Sequence, residues 1–175
     1  SARRIRTLAS PHGLVVAASF SPDGRRIVTA RADSVARLWD AGTGKPVGEP
    51  FVGHTKPLTS AAFSPDGRYV VTTSYDHDAR IWDARTGRSV ATLRGHFAVV
   101  RSAAFSADSR WIVTAGPGSA GVWDVRTGRA LFFLNAHDTL TAAAYSSHGW
   151  RIVTGGPASP ESQRSPHRFI TSSTP

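Results

Sequence analysis

The sequence predicts an all-β protein assembled from repeated units of four short antiparallel strands. Three observations carry that expectation. A Trp-Asp pair recurs at an interval of about 40 residues, as Trp39-Asp40, Trp82-Asp83 and Trp123-Asp124, and such a period marks a repeat architecture. β-Branched runs lie between segments rich in Gly and Asp, the pattern of short strands at regular spacing. A Ser-Pro-Asp-Gly segment or a close variant precedes each β-branched run, as at Ser21, Ser64 and Ser106.

Each unit contributes its elements in the same order. The first strand is small and apolar: Val15 to Phe20, Leu58 to Phe63, Val99 to Phe105 and Leu140 to Tyr145. These segments hold alanine runs (Ala17-Ala18, Ala61-Ala62, Ala103-Ala104, Ala142 to Ala144). Ala is a poor strand former, so its use here suggests strands crowded around a common axis. In the turn that follows, Pro presets one φ and Gly accepts a positive one. The second strand is β-branched: Arg26 to Thr29, Arg68 to Thr72, Trp111 to Thr114 and Arg151 to Thr154. Its apolar character on both faces fits sheets packed face to face. A polar turn leads to the third strand, which carries the Trp. Thr-Gly-Lys or Thr-Gly-Arg then turns the chain into a fourth strand, Arg88 to Leu93 and Arg129 to Leu134 in copies two and three. A fourth copy opens at Ala136-His137 and loses the pattern after Gly155.

Length and composition narrow the class. The 175 residues suffice for a single domain. Cys is absent, which excludes disulfides and thiolate chemistry and is compatible with a reducing compartment. No apolar run approaches the roughly 20 residues of a helical membrane span, and no secretory apolar region is present. The chain opens on Ser1, so its start is a weak guide to targeting. Formal charge is +9, nearly all of it Arg, with Lys45 and Lys56 the only lysines.

The conjunction of Gly-His (Gly53-His54, Gly95-His96), Ser-Pro-Asp-Gly and Trp-Asp at this period resembles the WD-repeat (WD40) β-propeller family, over residues 5 to about 155. The resemblance implies a partial propeller: three complete four-stranded antiparallel blades plus an incomplete fourth, with each first strand innermost. It sets a repeat domain at 1–155, with an N-terminal outer strand at 3–8, repeats near 12–51, 53–93 and 95–134, and a partial repeat at 136–155. The Pro- and Ser-rich remainder, 156–175, is expected to be irregular or disordered, with Arg168 to Thr171 at best a makeshift strand.

The resemblance also implies a hydrogen-bonded chain within each blade. Copy one would use His12, Thr29, Asp33 and Trp39; copy two His54, Thr72, Asp76 and Trp82. Copy three has His96, Thr114 and Trp123 but a shorter turn without the Asp, so its network is expected to be incomplete; copy four keeps only His137 and Thr154. The chemistry is sound by itself. A buried Trp N–H needs an acceptor, and a satisfied relay through Thr and His to a carboxylate stiffens its surroundings. Each Trp can bury about 150–250 Å², a gross gain of roughly 4–6 kcal/mol.

A catalytic reading of these sets fails on their recurrence, since an active site is normally single. Asp76-His77-Asp78 invites a metal, but neighbours on a strand point to opposite faces, and a tight turn explains them. Gly42-Thr43-Gly44-Lys45 lacks the first Gly and the final Ser/Thr of a phosphate loop. No catalytic, cofactor or metal residues are therefore assigned. Binding remains. The family's partner-contacting positions fall on Ala32, Lys56, Tyr75 and Arg101, of which Lys56, Tyr75 and Arg101 have the side chains of anchors. On the opposite face, Arg25, Arg26, Arg68, Arg110 and Arg151 follow the first turn of each copy, and Arg85, Arg88, Arg126, Arg129 and Lys45 flank the second. That face is either a site for an anionic partner or a solvated rim whose arginines pair with local aspartates.

The expected function is thus a non-catalytic, cytoplasmic scaffold for protein partners, without cofactor or membrane contact. Nucleic-acid or anionic-partner binding through the basic turn face is the alternative. Ring closure has three outcomes: an excerpt of a larger propeller, head-to-tail self-association through open blade edges, or a four-bladed ring.

Overall fold

The structure is a computed structural model that describes residues 13–146 and 151–157. The outer strand expected at 3–8, His12, and the tail from 158 onward lie outside the described residues.

The first blade is an antiparallel sheet of β1 (Val15–Phe20), β2 (Arg26–Arg31), β3 (Ala36–Asp40) and β4 (Pro46–Phe51), paired in chain order. The second repeats it with β5 (Leu58–Phe63), β6 (Tyr69–Ser74), β7 (Ala79–Asp83) and β8 (Ser89–Leu93). The third is built from β9 (Ser102–Phe105), β10 (Trp111–Asp124) and β11 (Ala130–Thr139). The described part of the fourth is β12 (Ala142–Tyr145) paired with β13 (Ile152–Gly155).

β10 is not one straight strand. Nine residues of extended chain would separate Thr114 from Trp123 by about 30 Å, yet Trp123 Nε1 lies 2.7 Å from Thr114 Oγ1. The run doubles back at Pro117-Gly118, where Gly118 has φ 78°. Pro followed by a positive-φ Gly is the chemistry of a type II turn. One half of β10 pairs with β9 and the other with β11, so the third blade also has four extended segments. Two strands begin later than expected, at Ser102 and Ala142. Near the first of these, the Val100 N–H donates to Ser74 O of the preceding blade at 3.2 Å, which takes it out of its own ladder.

Local chemistry fixes the turns. Ser21 Oγ donates to Asp23 at 2.5 Å, Asp23 accepts the Arg25 N–H at 3.0 Å, and Ser21 Oγ accepts the Arg26 N–H at 2.8 Å. Ser64-Asp66 and Ser106-Asp108 repeat this pattern. In the third copy Ser109 stands where the others have Gly, at φ 61°. Its hydroxyl accepts the Asp66 N–H at 3.1 Å, a bond between blades that Gly could not make.

The two residues of each Trp-Asp pair do different work. The Trp points into the core, while the Asp closes the next turn. Asp83 Oδ1 accepts the Thr86 N–H at 2.7 Å and its hydroxyl at 2.8 Å; Asp40 and Asp124 hold Thr43 and Thr127 in the same way.

Blades pack face to face through three cores in chain order. The first joins Val28 and Leu38 of blade one to Phe63, Val70 and Trp82 of blade two. The second joins Val71 and Ile81 to Phe105, Ile112 and Trp123. The third joins Val113 and Val122 to Ile152, with Tyr145 packed against it. The ends stay open: Phe20 is 63% exposed and Val153 42%. The described chain is therefore an open arc, not a closed four-bladed ring.

Candidate functional site

The best-formed polar constellation lies in blade two. Trp82 Nε1–H donates to Thr72 Oγ1 at 2.8 Å, His54 Nε2 lies 2.8 Å from the same oxygen, and His54 Nδ1 lies 2.8 Å from Asp76 Oδ2. Asp76 also accepts the Thr55 and Asp78 N–H groups at 3.0 and 3.1 Å. Burial lowers the His54 pKa, and Asp76 offsets this only in part. Burial pushes Asp76 up, but bonds from Thr55 and His54 outweigh it and hold the carboxyl below its ordinary value. A neutral imidazole must then donate from Nδ1 to the carboxylate and accept the Thr72 hydroxyl at Nε2. Every group in the relay is satisfied. Its direction is fixed from Trp to Asp.

Blade three corrects the expectation of an incomplete network. Trp123 donates to Thr114, His96 Nε2 lies 2.7 Å from Thr114 Oγ1, and His96 Nδ1 lies 3.0 Å from Ser119 Oγ. The tighter turn brings the Ser119 hydroxyl to the place of the missing carboxylate. Among the described residues no anion supports this histidine, and burial pushes its pKa down to about 4. In blade one Trp39 donates to Thr29 at 2.9 Å, while Asp33 forms an ion pair with buried Arg31. In blade four Thr154 is buried; the His137 side chain lies outside the described residues.

The aromatic neighbours of the two best-defined tryptophans also differ. Phe51 stacks on Trp82 at 5.3 Å and 7°, whereas Phe133 meets Trp123 edge-on at 5.3 Å and 84°. Gly121 stands where the earlier blades carry Arg37 and Arg80. A Cβ there would come within 3.0 Å of Phe133.

At the end of the arc holding the second-to-third-strand turns, a depression of about 290 Å³ is lined by Val16, Leu58, Thr59, Tyr75, Arg101 and Thr141. Four of these, Val16, Thr59, Arg101 and Thr141, occupy one repeat position, four residues before the aromatic that ends each first strand. One residue from each blade thus meets at the mouth. Sequence reasoning reached Arg101 alone; the same column across all copies would have supplied the others. Tyr75 is 46% exposed, and its N–H is anchored on Pro57 O at 3.0 Å. Thr59 Oγ1 is held between Thr73 Oγ1 at 2.6 Å and Val100 O at 2.5 Å. Lys56 is exposed outside this lining, and Ala32, half-buried, donates its N–H to Leu14 O at 2.9 Å.

The opposite end carries the other two turns of each blade. The N–H groups of Ala41, Ala84 and Val125 bond the carbonyls of Arg25, Arg68 and Arg110 at 2.8–2.9 Å, setting the turns side by side. Arg25, Arg68, Arg85, Arg88, Arg110, Arg126 and Arg129 are all exposed. None of them has a carboxylate within 4.0 Å among the described residues, where the ion pairs are Arg31–Asp33, His54–Asp76 and Arg94–Asp78. The neighbouring aspartates instead accept hydrogen bonds from their own turns. Those bonds hold Asp23 and Asp83 below the ordinary carboxylate range. For Asp108 and Asp124 burial acts first and upward, but the turn bonds again prevail. Arg26 is different: Nη1 donates to Ala84 O at 2.8 Å and the guanidinium lies 5.7 Å from the Phe63 ring centroid, so it clamps blade one to blade two.

Among the described residues, no group of three or more His, Asp or Glu side chains converges to hold a metal. Asp76 is committed to His54, and Asp78 lies 3.6 Å from Arg94. No described helix is long and apolar enough to cross a membrane.

A comparison with curated proteins finds no match. The family profile for "WD domain, G-beta repeat" matches at residues 2–40, 44–83 and 87–124. Each match ends on the Asp of a Trp-Asp pair, the residue that closes the third-to-fourth-strand turn. With more than half the chain so matched, and its blades built as described, the protein belongs to the WD-repeat family.

Proposed function

We propose that the protein is a non-catalytic scaffold that holds a protein partner at the mouth where its four blades meet. The observation that carries this reading is the convergence of one equivalent residue per blade on a single open depression, beside Tyr75. Aromatic and Arg side chains are the usual anchors of protein interfaces. Arg101 supplies a charge and Tyr75 a flat amphipathic ring, beside exposed Val16 and buried Leu58. WD-repeat domains in general serve protein interaction, which supports the assignment. A cytoplasmic location, compatible with a chain free of cysteine, completes the reading. The test is affinity capture with wild-type bait beside Tyr75→Ala/Arg101→Glu bait. Partners retained by the wild type and lost by the variant are expected; an identical set on both baits refutes the mouth as the site.

A second reading is favoured by the turn face, where aspartates bond their own turns and, among the described residues, the exposed arginines have no carboxylate within 4.0 Å. It holds that this face binds an anionic partner such as nucleic acid. Binding of a labelled DNA duplex should then weaken steeply with salt, about 0.9 log units per log unit of salt for each phosphate neutralised. Arg85→Glu with Arg126→Glu should abolish it. Binding insensitive to both salt and substitution removes this reading.

A further inference from the structure

The blades carry two series of cross-strand pairs, in the same register each time. Phe20↔Ile27, Phe63↔Val70, Phe105↔Ile112 and Tyr145↔Ile152 form the first. Ser19↔Val28, Ala62↔Val71, Ala104↔Val113 and Ala144↔Val153 form the second. Each interblade core sets the second series of one blade against the first series of the next. Three junctions use up all but two pairs. One remainder is Phe20/Ile27 on blade one, with Phe20 at 63% exposure against 8% and 9% for Phe63 and Phe105. The other is Ala144/Val153 on blade four, with Val153 at 42% against 0–1% for Val28, Val71 and Val113.

We propose that the Phe20/Ile27 face docks on the Ala144/Val153 face of a second copy of this chain, two copies closing head to tail into one ring. The two open faces are the complementary halves of the junction built three times within each chain, so a second copy offers each face the partner type it meets elsewhere. The contact is heterologous, and such contacts either close into rings or run on as filaments. Two such arcs, each with three whole blades and part of a fourth among the described residues, approach eight blades, at the upper end of the usual 4–8 of closed propellers. Closure also removes two exposed apolar sheet faces from water.

The test is sedimentation of the full chain across a wide concentration range, with Phe20→Arg and Val153→Arg variants alone and mixed. The wild type is expected at twice the 18.6 kDa chain mass. Each variant alone should be monomeric, its dissociation constant raised roughly thirtyfold or more, as for loss of a central apolar anchor. The mixture should recover a dimer, because pairing Phe20→Arg with Val153→Arg leaves one junction intact. Both positions are exposed in the single chain, so the variants should keep the wild-type circular dichroism. A monomeric wild type, as when another segment or another protein covers Phe20, overturns the proposal. So does a dimer untouched by either substitution, or an open ladder of larger species.

Discussion

At the scale of the residue, the tryptophan relays concentrate polar groups where water is absent. In blade two one hydroxyl, Thr72 Oγ1, serves both Trp82 and His54. Thr72→Val keeps the shape but leaves two buried groups without partners, at about 1–3 kcal/mol each. The expected loss is therefore about 2–6 kcal/mol, against less than about 0.5 kcal/mol for Thr141→Val at an exposed position just before β12. Urea denaturation of the two variants compares them directly. The relays also predict a pH dependence. His54 and His96 have folded pKa values below the ordinary histidine value of 6.5, His96 at about 4. Below 6.5 the unfolded chain takes up protons that the folded chain refuses. Stability is thus full above 6.5 and falls as pH drops toward 4, by roughly 3 kcal/mol for His96. The lowered aspartates lose their contribution mainly below the ordinary carboxylate value of 3.8, so they leave this window to the histidines. Thermal melts between these limits should slope, and His96→Gln should flatten the slope; an equal slope in the variant would remove the assignment to His96.

At the scale of the element, the sequence disclosed the strands and turns well, because period, β-branching and turn chemistry agree with one another. The strands from Val15, Leu58, Ala36 and Ala79 occupy the segments so expected. Blade three was less legible. Removing one residue from its turn both tightened the hairpin at Pro117-Gly118 and moved Ser119 onto His96, and a spacing rule built on the longer turn cannot register that exchange. The mouth shows a different limit. Four of its six lining residues share a repeat position but not a residue type, so among those four chemistry alone singled out Arg101 and passed over Thr59 and Thr141. Blade three's tightness has a measurable consequence. A Cβ on Gly116 would lie 2.4 Å from Val99 O, a backbone atom. On Gly24 it would meet nothing within 4 Å, at φ +68°. Gly24→Ala should cost only the left-handed conformation, about 1–2 kcal/mol. Gly116 is not among the positive-φ glycines, so Gly116→Ala carries no such conformational cost, but it must displace backbone and should cost more, by the shift in denaturation midpoint.

At the scale of the whole molecule, stability should follow the count of neighbours each blade has. Stacked repeats behave as a row of units, each stabilised by its own fold and by the interfaces at its sides. Blades two and three each share two apolar cores; blade one and the described part of blade four share one. Burial follows the same gradient. Every residue from Val70 to Ser74 in β6 is buried, while β1 has no buried residue. Amide exchange should therefore be slowest in β6, β7 and the Trp111–Ala115 half of β10, and fastest among the strands in β1 and β12. A single chain should show this gradient at low concentration. If two chains close head to tail, β1 and β12 gain the neighbours they lack. Their exchange should slow together as concentration rises, while β6 stays unchanged. Phe20→Arg should hold both ends at their dilute rates. Slowing confined to β1 alone would mean that something other than the blade-four face covers Phe20, and uniform protection along the chain would contradict the row of unequal blades itself.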